Sequence, residues 1–320
     1  MYSNDFPTIS DILAQNTGGD SSNGLWELGN SILEGPDEGI ALLSTADYYS
    51  TIEDNVDGKR AEYNVSLTDY WGRALSFQLV QAPNGGPSYT WSSIADQDFF
   101  TNGSVPMPFI VADEREPGQK IVSSNSTVYH FDPWEMGSED PTLFGFVPLK
   151  YAGTNFSAGS PSTDSCTTGF DNVGFIMGTS SSLFNTFLPV VNGASAQGGL
   201  QEALQGVLSD LLRAIGEDNN DVSFWNNPFY GYNNDTNLNA GTTELSLVDG
   251  GLDLQNIPLH PLIQPDRHVD VIFAIDSSAD TNDSFPTTGS AAGWPDGASL
   301  RATFERSKSD IGNNTGEQCA

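Results

Sequence analysis

One aspartate at the end of an apolar run, in Val248-Asp249-Gly250-Gly251, is the residue of this sequence best placed to do chemistry. The run Leu245 to Asp249 (LSLVD) stops at two glycines, the pattern of a buried strand that ends in a tight turn. Open α/β sheets hold ligands and catalysts at the carboxyl ends of their strands. A carboxylate there can take a proton from a nearby hydroxyl. Gly250 and Gly251 would support it, because glycine lets other backbone close on the side chain. The same four residues also suit a plain turn, since Asp-Gly is a common turn dipeptide. Residue types and spacing leave both readings open, and the turn is the commoner of the two.

Other candidates are weaker. Gly178-Thr-Ser-Ser-Ser182 offers Ser180 and Ser181 as nucleophiles but lacks the final glycine of a Gly-X-Ser-X-Gly elbow. Its plain reading is a helix start capped by hydroxyls. The histidines are His130, His260 and His268. His260 follows the Asp249 loop and could join a Ser–His–Asp arrangement. Pro258 and Pro261 beside it favour a rigid structural loop instead. Three scattered histidines with Cys166 and Cys319 make no zinc pattern, so no metal or other cofactor is expected. Asp266-Arg267-His268 reads as an ion-paired turn, or as support for the base loop. The acidic run Glu217 to Asp221 reads as a solvated loop rather than a metal site. Aromatic residues at Tyr89, Trp91, Trp134 and from Phe224 to Tyr232 could line an acyl-chain surface, although core packing is their usual fate.

The elements that must position these residues follow from hydrophobic spacing. Pro108 to Asp113 (PFIVAD) predicts a short buried strand, entered through proline and left through charge. Thr127 to Phe131 predicts another. Val65 to Gln81 suits helix or strand, and apolar residues before Ser50 recur loosely at helical spacing. The spacing of Leu200, Leu204, Val207, Leu208, Leu211, Leu212 and Ile215 predicts a helix over 198–215. Val269 to Asp276 (VDVIFAID) has the continuous apolar centre of a strand covered on both faces. Helices and buried strands together give an α/β architecture. No repeat or linker divides the chain, so residues 1–320 are read as one domain.

Composition narrows the partners. Lys and Arg number 11 against 42 Asp and Glu, a formal charge of -31. Such a surface repels a phosphate backbone, which excludes nucleic acid, and it repels anionic headgroups for the same reason. It is better tolerated at low working pH, where carboxylates begin to protonate. No apolar run is long enough to span a membrane. Asn64, Asn102, Asn125, Asn155, Asn234, Asn282 and Asn313 each begin an Asn-X-Ser/Thr triplet, so a secreted or cell-surface glycoprotein is expected. The opening MYSNDFPTIS has neither the basic nor the apolar part of a secretory leader. A secreted composition without that leader suggests a chain that starts partway into a longer protein.

Long stretches of the sequence carry a resemblance. LVDGGLDLQNIPLHPLIQPDRHVDVIFAIDSSAD from Leu247 closely resembles the aspartate segment of the fungal lysophospholipases (phospholipase B). It is similar, more loosely, to the matching part of the cytosolic phospholipase catalytic domain. Further stretches agree in the same order: LTDYWGRALSFQLV from Leu67, GGPSYTWSSIA from Gly85 and FDPWEMGSEDPTLFGFVPLKYAGTNF from Phe131, then GFDNVGFIMGTSSSLFN from Gly169, GEDNNDVSFWNNPFYGY from Gly216 and WPDGASLRATFERS from Trp294.

The resemblance implies a three-layer α/β fold with a mixed central sheet, as in the cytosolic phospholipase and patatin group. It implies hydrolysis of lysophospholipid, and in some members diacyl phospholipid, esters at a micelle or membrane surface by a Ser–Asp dyad without histidine or metal. Asp249 matches the aspartate. The Gly-Leu-Ser-Gly-Gly turn that carries the family's serine has no counterpart here, nor has its oxyanion-binding arginine. The resemblance therefore describes a domain whose nucleophile lies outside this chain. The competing expectation is a truncated, inactive relative that binds lipid or persists in the cell wall.

Overall fold

The computed structural model describes residues 32, 35, 45–80, 82–119, 121–123, 125–163, 166–182, 222–278 and 295–308. Helix α1 (Thr45–Arg60) and helix α2 (Leu67–Leu79) lead into a short helix α3 (Asp98–Thr101). Strands β1 (Ile110–Glu114), β2 (Val128–Phe131), β3 (Glu135–Ser138) and β4 (Gly145–Pro148) then meander. A two-stranded ribbon, β5 (Phe156–Ser157) and β6 (Ser160–Pro161), precedes helix α4 (Val173–Ser180). Strands β7 (Ser223–Asn226) and β8 (Glu244–Asp249) and helix α5 (Ala298–Ser307) complete the described elements.

The main sheet runs β4-β3-β2-β1-β8-β7, so β8 crosses back to lie beside β1. Helices and sheet together make the class α/β, as expected. A mixed sheet was implied, and the described pairings are all antiparallel.

The stretch Val65 to Gln81 resolves as helix because its start is capped. Ser66 Oγ accepts the Thr68 N–H, and Asp69 Oδ2 accepts the Ser66 N–H at 2.8 Å. That reciprocal box satisfies amides a helix start leaves bare. Helix α2 crosses α4 at glycines. A Cβ on Gly72 would lie 2.2 Å from the Gly174 carbonyl oxygen, so only hydrogen fits there.

Residues alternate across the sheet. Leu245 and Leu247 of β8 face the main core with Ala112, Phe131, Trp225, Phe175 and Ile176. Val248 faces the other way and packs with Val122, Val222, Phe224 and Leu252. Half of the sequence's eight aromatic candidates are buried (Trp91, Phe224, Trp225 and Phe229), Tyr89, Tyr230 and Tyr232 are half-buried, and Trp134 is exposed.

Two expectations need correction. Val269 to Asp276 is not a strand and is not buried: Val271, Phe273 and Ile275 are 67%, 91% and 86% exposed. An apolar run becomes a covered strand only when neighbours pair with its edges, and no described strand does so. Gly178 to Ser182 is a helix end rather than a helix start, since α4 closes at Ser180. The strand expected over Pro108 to Asp113 is β1, with Asp113 inside it and fully buried. The expected helix over 198–215, the acidic run at 217–221, Asn282, Asn313 and Cys319 lie outside the described residues.

Candidate functional site

Asp249 ends β8, directly opposite Ala112 of β1 in the antiparallel register. Its alternation with Leu245 and Leu247 puts it on the helix-covered face of the sheet. The side chain is 9% exposed. Oδ1 accepts the Gly251 N–H at 2.7 Å, and Oδ2 accepts no hydrogen bond from the described residues. One oxygen is thus anchored and the other is not.

The paired glycines matter through close approach. Neither has a left-handed backbone. A Cβ on Gly250 would meet the Val111 carbonyl oxygen at 2.6 Å, and one on Gly251 would meet Asn256 Oδ1 at 2.2 Å. The turn therefore presses against Val111, near the start of β1. It then folds across the strand ends, where Leu252 joins Val248 on the opposite face. Asp253 continues it, with Oδ1 accepting the Gln255 N–H at 2.8 Å and Oδ2 accepting the Gln255 side-chain amide.

Burial raises the Asp249 carboxyl from its ordinary 3.8 to about 6. The Gly251 N–H opposes that rise and the nearby Asp253 charge adds to it. A carboxylate that is costly to keep charged is a stronger base than a solvated one. Beside the turn a cavity of about 290 Å³ is lined by Asn256, Ile257, Ile275, Asp276, Ser277 and Ser278.

None of the serines offered by the sequence serves Asp249. Ser180 Oγ donates to the Val111 carbonyl at 2.6 Å, Ser181 Oγ to Met177 at 2.8 Å and Ser182 Oγ to Thr179 at 3.2 Å. Ser181 also accepts the Trp71 indole N–H. They finish a helix.

His260 is structural as well. It is buried, with Nε2 3.8 Å from Asp140 and 4.0 Å from Glu139. Arg267, in a 3-10 turn at Pro265–Arg267, donates to Glu139 at 3.0 Å, and His130 Nδ1 meets the other Glu139 oxygen at 3.0 Å. Arg306 of α5 donates to both oxygens of the fully buried Asp140 at 2.8 and 2.7 Å. His268 ends the 3-10 turn in a left-handed conformation. This network clamps the loop after Asp249 to β2 and to the segment that follows β3. Sequence reasoning anticipated the ion-paired turn at Arg267 but missed Asp113, Asp253, Glu139 and Asp140. Only the position of Asp113 at the end of an apolar strand hinted at its role.

No helix among the described residues is long and apolar enough to cross a membrane. The five described sequon residues, Asn64, Asn102, Asn125, Asn155 and Asn234, are all exposed. Asn64 also donates its side-chain nitrogen to Glu244 at 2.6 Å. Cys166 is exposed.

Comparison with known proteins matches residues 1–318 to a family described as the lysophospholipase catalytic domain. The chain is 54% identical to lysophospholipase 1 of Aspergillus fumigatus, over 98% of its own length and 48% of that protein's. It is 52% identical to a lysophospholipase of Penicillium chrysogenum, over 98% of its length and 50% of the relative's. Among solved structures, the human GIVD cytosolic phospholipase A2 matches 70% of this chain and 33% of its own, with a TM-score of 0.48 and 15% identity. The chain spans about half the length of the curated relatives it matches.

Proposed function

The chain belongs to the lysophospholipase catalytic-domain family, and on that premise we propose that Asp249 is the general base of a carboxylic-ester hydrolase. The observation that carries the proposal is the Asp249 carboxylate itself, set at a strand tip with one oxygen anchored and its basicity raised by burial. Its substrates are lysophospholipids, and diacyl phospholipids as a second class, met at a micelle or membrane surface. An acidic protein suits zwitterionic or neutral headgroups best. The exposed sequon residues favour a secreted or cell-surface glycoprotein.

The nucleophile is a serine outside these 320 residues. As its oxygen attacks the acyl carbonyl carbon, the serine proton passes to Asp249 Oδ2. The ester C–O bond then breaks, and the leaving alcohol departs with that proton. Water repeats the sequence on the acyl-enzyme: its proton goes to Asp249, its oxygen to the acyl carbon, and free fatty acid leaves as serine is restored. Held apart from that serine, the chain of 320 residues is close to inactive. A phosphonate ester that traps activated serines locates the nucleophile. In the full-length protein the label is expected outside these residues. Labelling at Ser180, Ser181 or Ser182 would overturn the assignment.

A base must be ionised to accept a proton. With Asp249 at about 6, kcat/KM for lysophosphatidylcholine should fall about tenfold per pH unit below that point. The acid-tolerant surface therefore meets an opposing limit at its own base. A profile flat from pH 7 to pH 4 would show that no such group governs the reaction.

A further inference from the structure

Among the described residues, Asp113 is the fully buried carboxyl that touches the base turn. It lies opposite Val248 in the β1–β8 register, in the pair next to Ala112–Asp249, so it points to the face away from Asp249. From there Oδ2 accepts the Asp253 N–H at 3.1 Å, tying the far side of the turn to β1. Its other oxygen, Oδ1, is enclosed and has no hydrogen-bond partner among the described residues. An ionised carboxylate in that position would hold an unsolvated charge with a single donor, which is costly. A neutral carboxyl does the same mechanical task through Oδ2, and its hydroxyl on Oδ1, left without an acceptor among the described residues, costs less than an unsolvated charge.

The charges that face Asp113 fit the neutral form. Asp253 and Asp249 lie in the turn it touches, and Arg306 approaches from α5. Arg306, however, is committed to Asp140, and His260 lies 3.8 Å from Asp140 and acts on Asp253 as well. Burial, followed by the Asp253 charge, holds the Asp113 carboxyl well above the ordinary carboxylate range. A third ionised carboxylate would also push Asp249 further toward protonation.

We propose that Asp113 is a positioning residue, a neutral carboxylic acid that pins the turn bearing Asp249 through the Asp253 N–H and adds no charge beside the base. The inference rests on Asp249 acting as base.

The test uses the full-length protein, lysophosphatidylcholine as substrate, and the variants Asp113→Asn and Asp113→Leu. Asparagine keeps the acceptor and the neutral charge. It is expected to restore kcat to within about threefold of the parent, with the acid limb of the pH profile unmoved. Leucine removes the acceptor, so kcat should fall by about tenfold or more while KM stays nearly constant, the signature of a misplaced base. A limb shifted to lower pH by about half a unit or more in Asp113→Asn would mean that a charge had been deleted, and would overturn neutrality. Full kcat in Asp113→Leu would overturn positioning. Should the leucine variant not fold, the infrared difference between parent and Asp113→Asn at neutral pH decides: a protonated-carboxyl band is expected, and its absence refutes the proposal. Failure of the underlying reading looks different, because Asp249→Asn would then keep its turnover.

Discussion

Asp249→Asn is expected to leave the protein folded and to lower turnover of lysophosphatidylcholine by about a thousandfold, the scale of a lost general base. Asparagine has the same shape, and its oxygen can still accept the Gly251 N–H that fixes the side chain. It cannot take a proton. The same change should stabilise the protein at neutral pH. Burial raises the folded-state carboxyl from 3.8 to about 6, so folding favours the protonated form. The stability this form provides is complete below about pH 4 and is lost as pH rises through about 6. Above that, the ionised group costs the fold about 3 kcal/mol. Thermal melts should therefore show Asp249→Asn more stable than the parent at pH 7.5, and the difference should vanish near pH 4. A variant destabilised at both values would show that the carboxylate holds the turn together rather than straining it.

The second large effect lies in the clamp behind the base. Arg306→Ala should destabilise the protein by about 3–5 kcal/mol, because it strands Asp140 as a buried charge. Asp140 is fully buried, and Arg306 holds both of its oxygens. What remains to it is the Val128 N–H at 2.8 Å and His260 Nε2 at 3.8 Å. The measurement is a urea titration of the single variants and of Arg306→Met combined with Asp140→Asn. The double variant should recover most of the loss, since a matched neutral pair leaves no charge behind. Losses that simply add would place the cost in the packing of the arginine stem instead.

How far these features were visible in the sequence depends on how local their causes are. Strands β1, β2 and β8 were legible because a short apolar run between turn residues has few other uses. The helix at Leu67–Leu79 was ambiguous by apolar spacing, yet Ser66 and Asp69 carried its capping box in plain sight. Val269 to Asp276 misled because apolar content shows a tendency to be covered, not the presence of a neighbouring strand. Asp249 could be found from its glycines and from the family resemblance. The clamp could not. Glu139 and Arg267 are 128 residues apart, Asp140 and Arg306 are 166 apart, and no spacing rule links such partners. The contact of Asp113 was equally hidden, because a charge at the end of an apolar run does not show what its carboxyl touches, and here it accepts the Asp253 N–H of the turn after the neighbouring strand.

The step that Asp249 is assigned is the deprotonation that forms the acyl-enzyme, and that step can be watched alone. Full-length parent and Asp249→Asn proteins would be mixed rapidly with a chromogenic acyl ester whose leaving group appears on acylation. The parent should give a burst equal to the enzyme concentration, and the variant should give none on the same time scale. A burst of equal size and rate in both would contradict the assignment of Asp249 as the base.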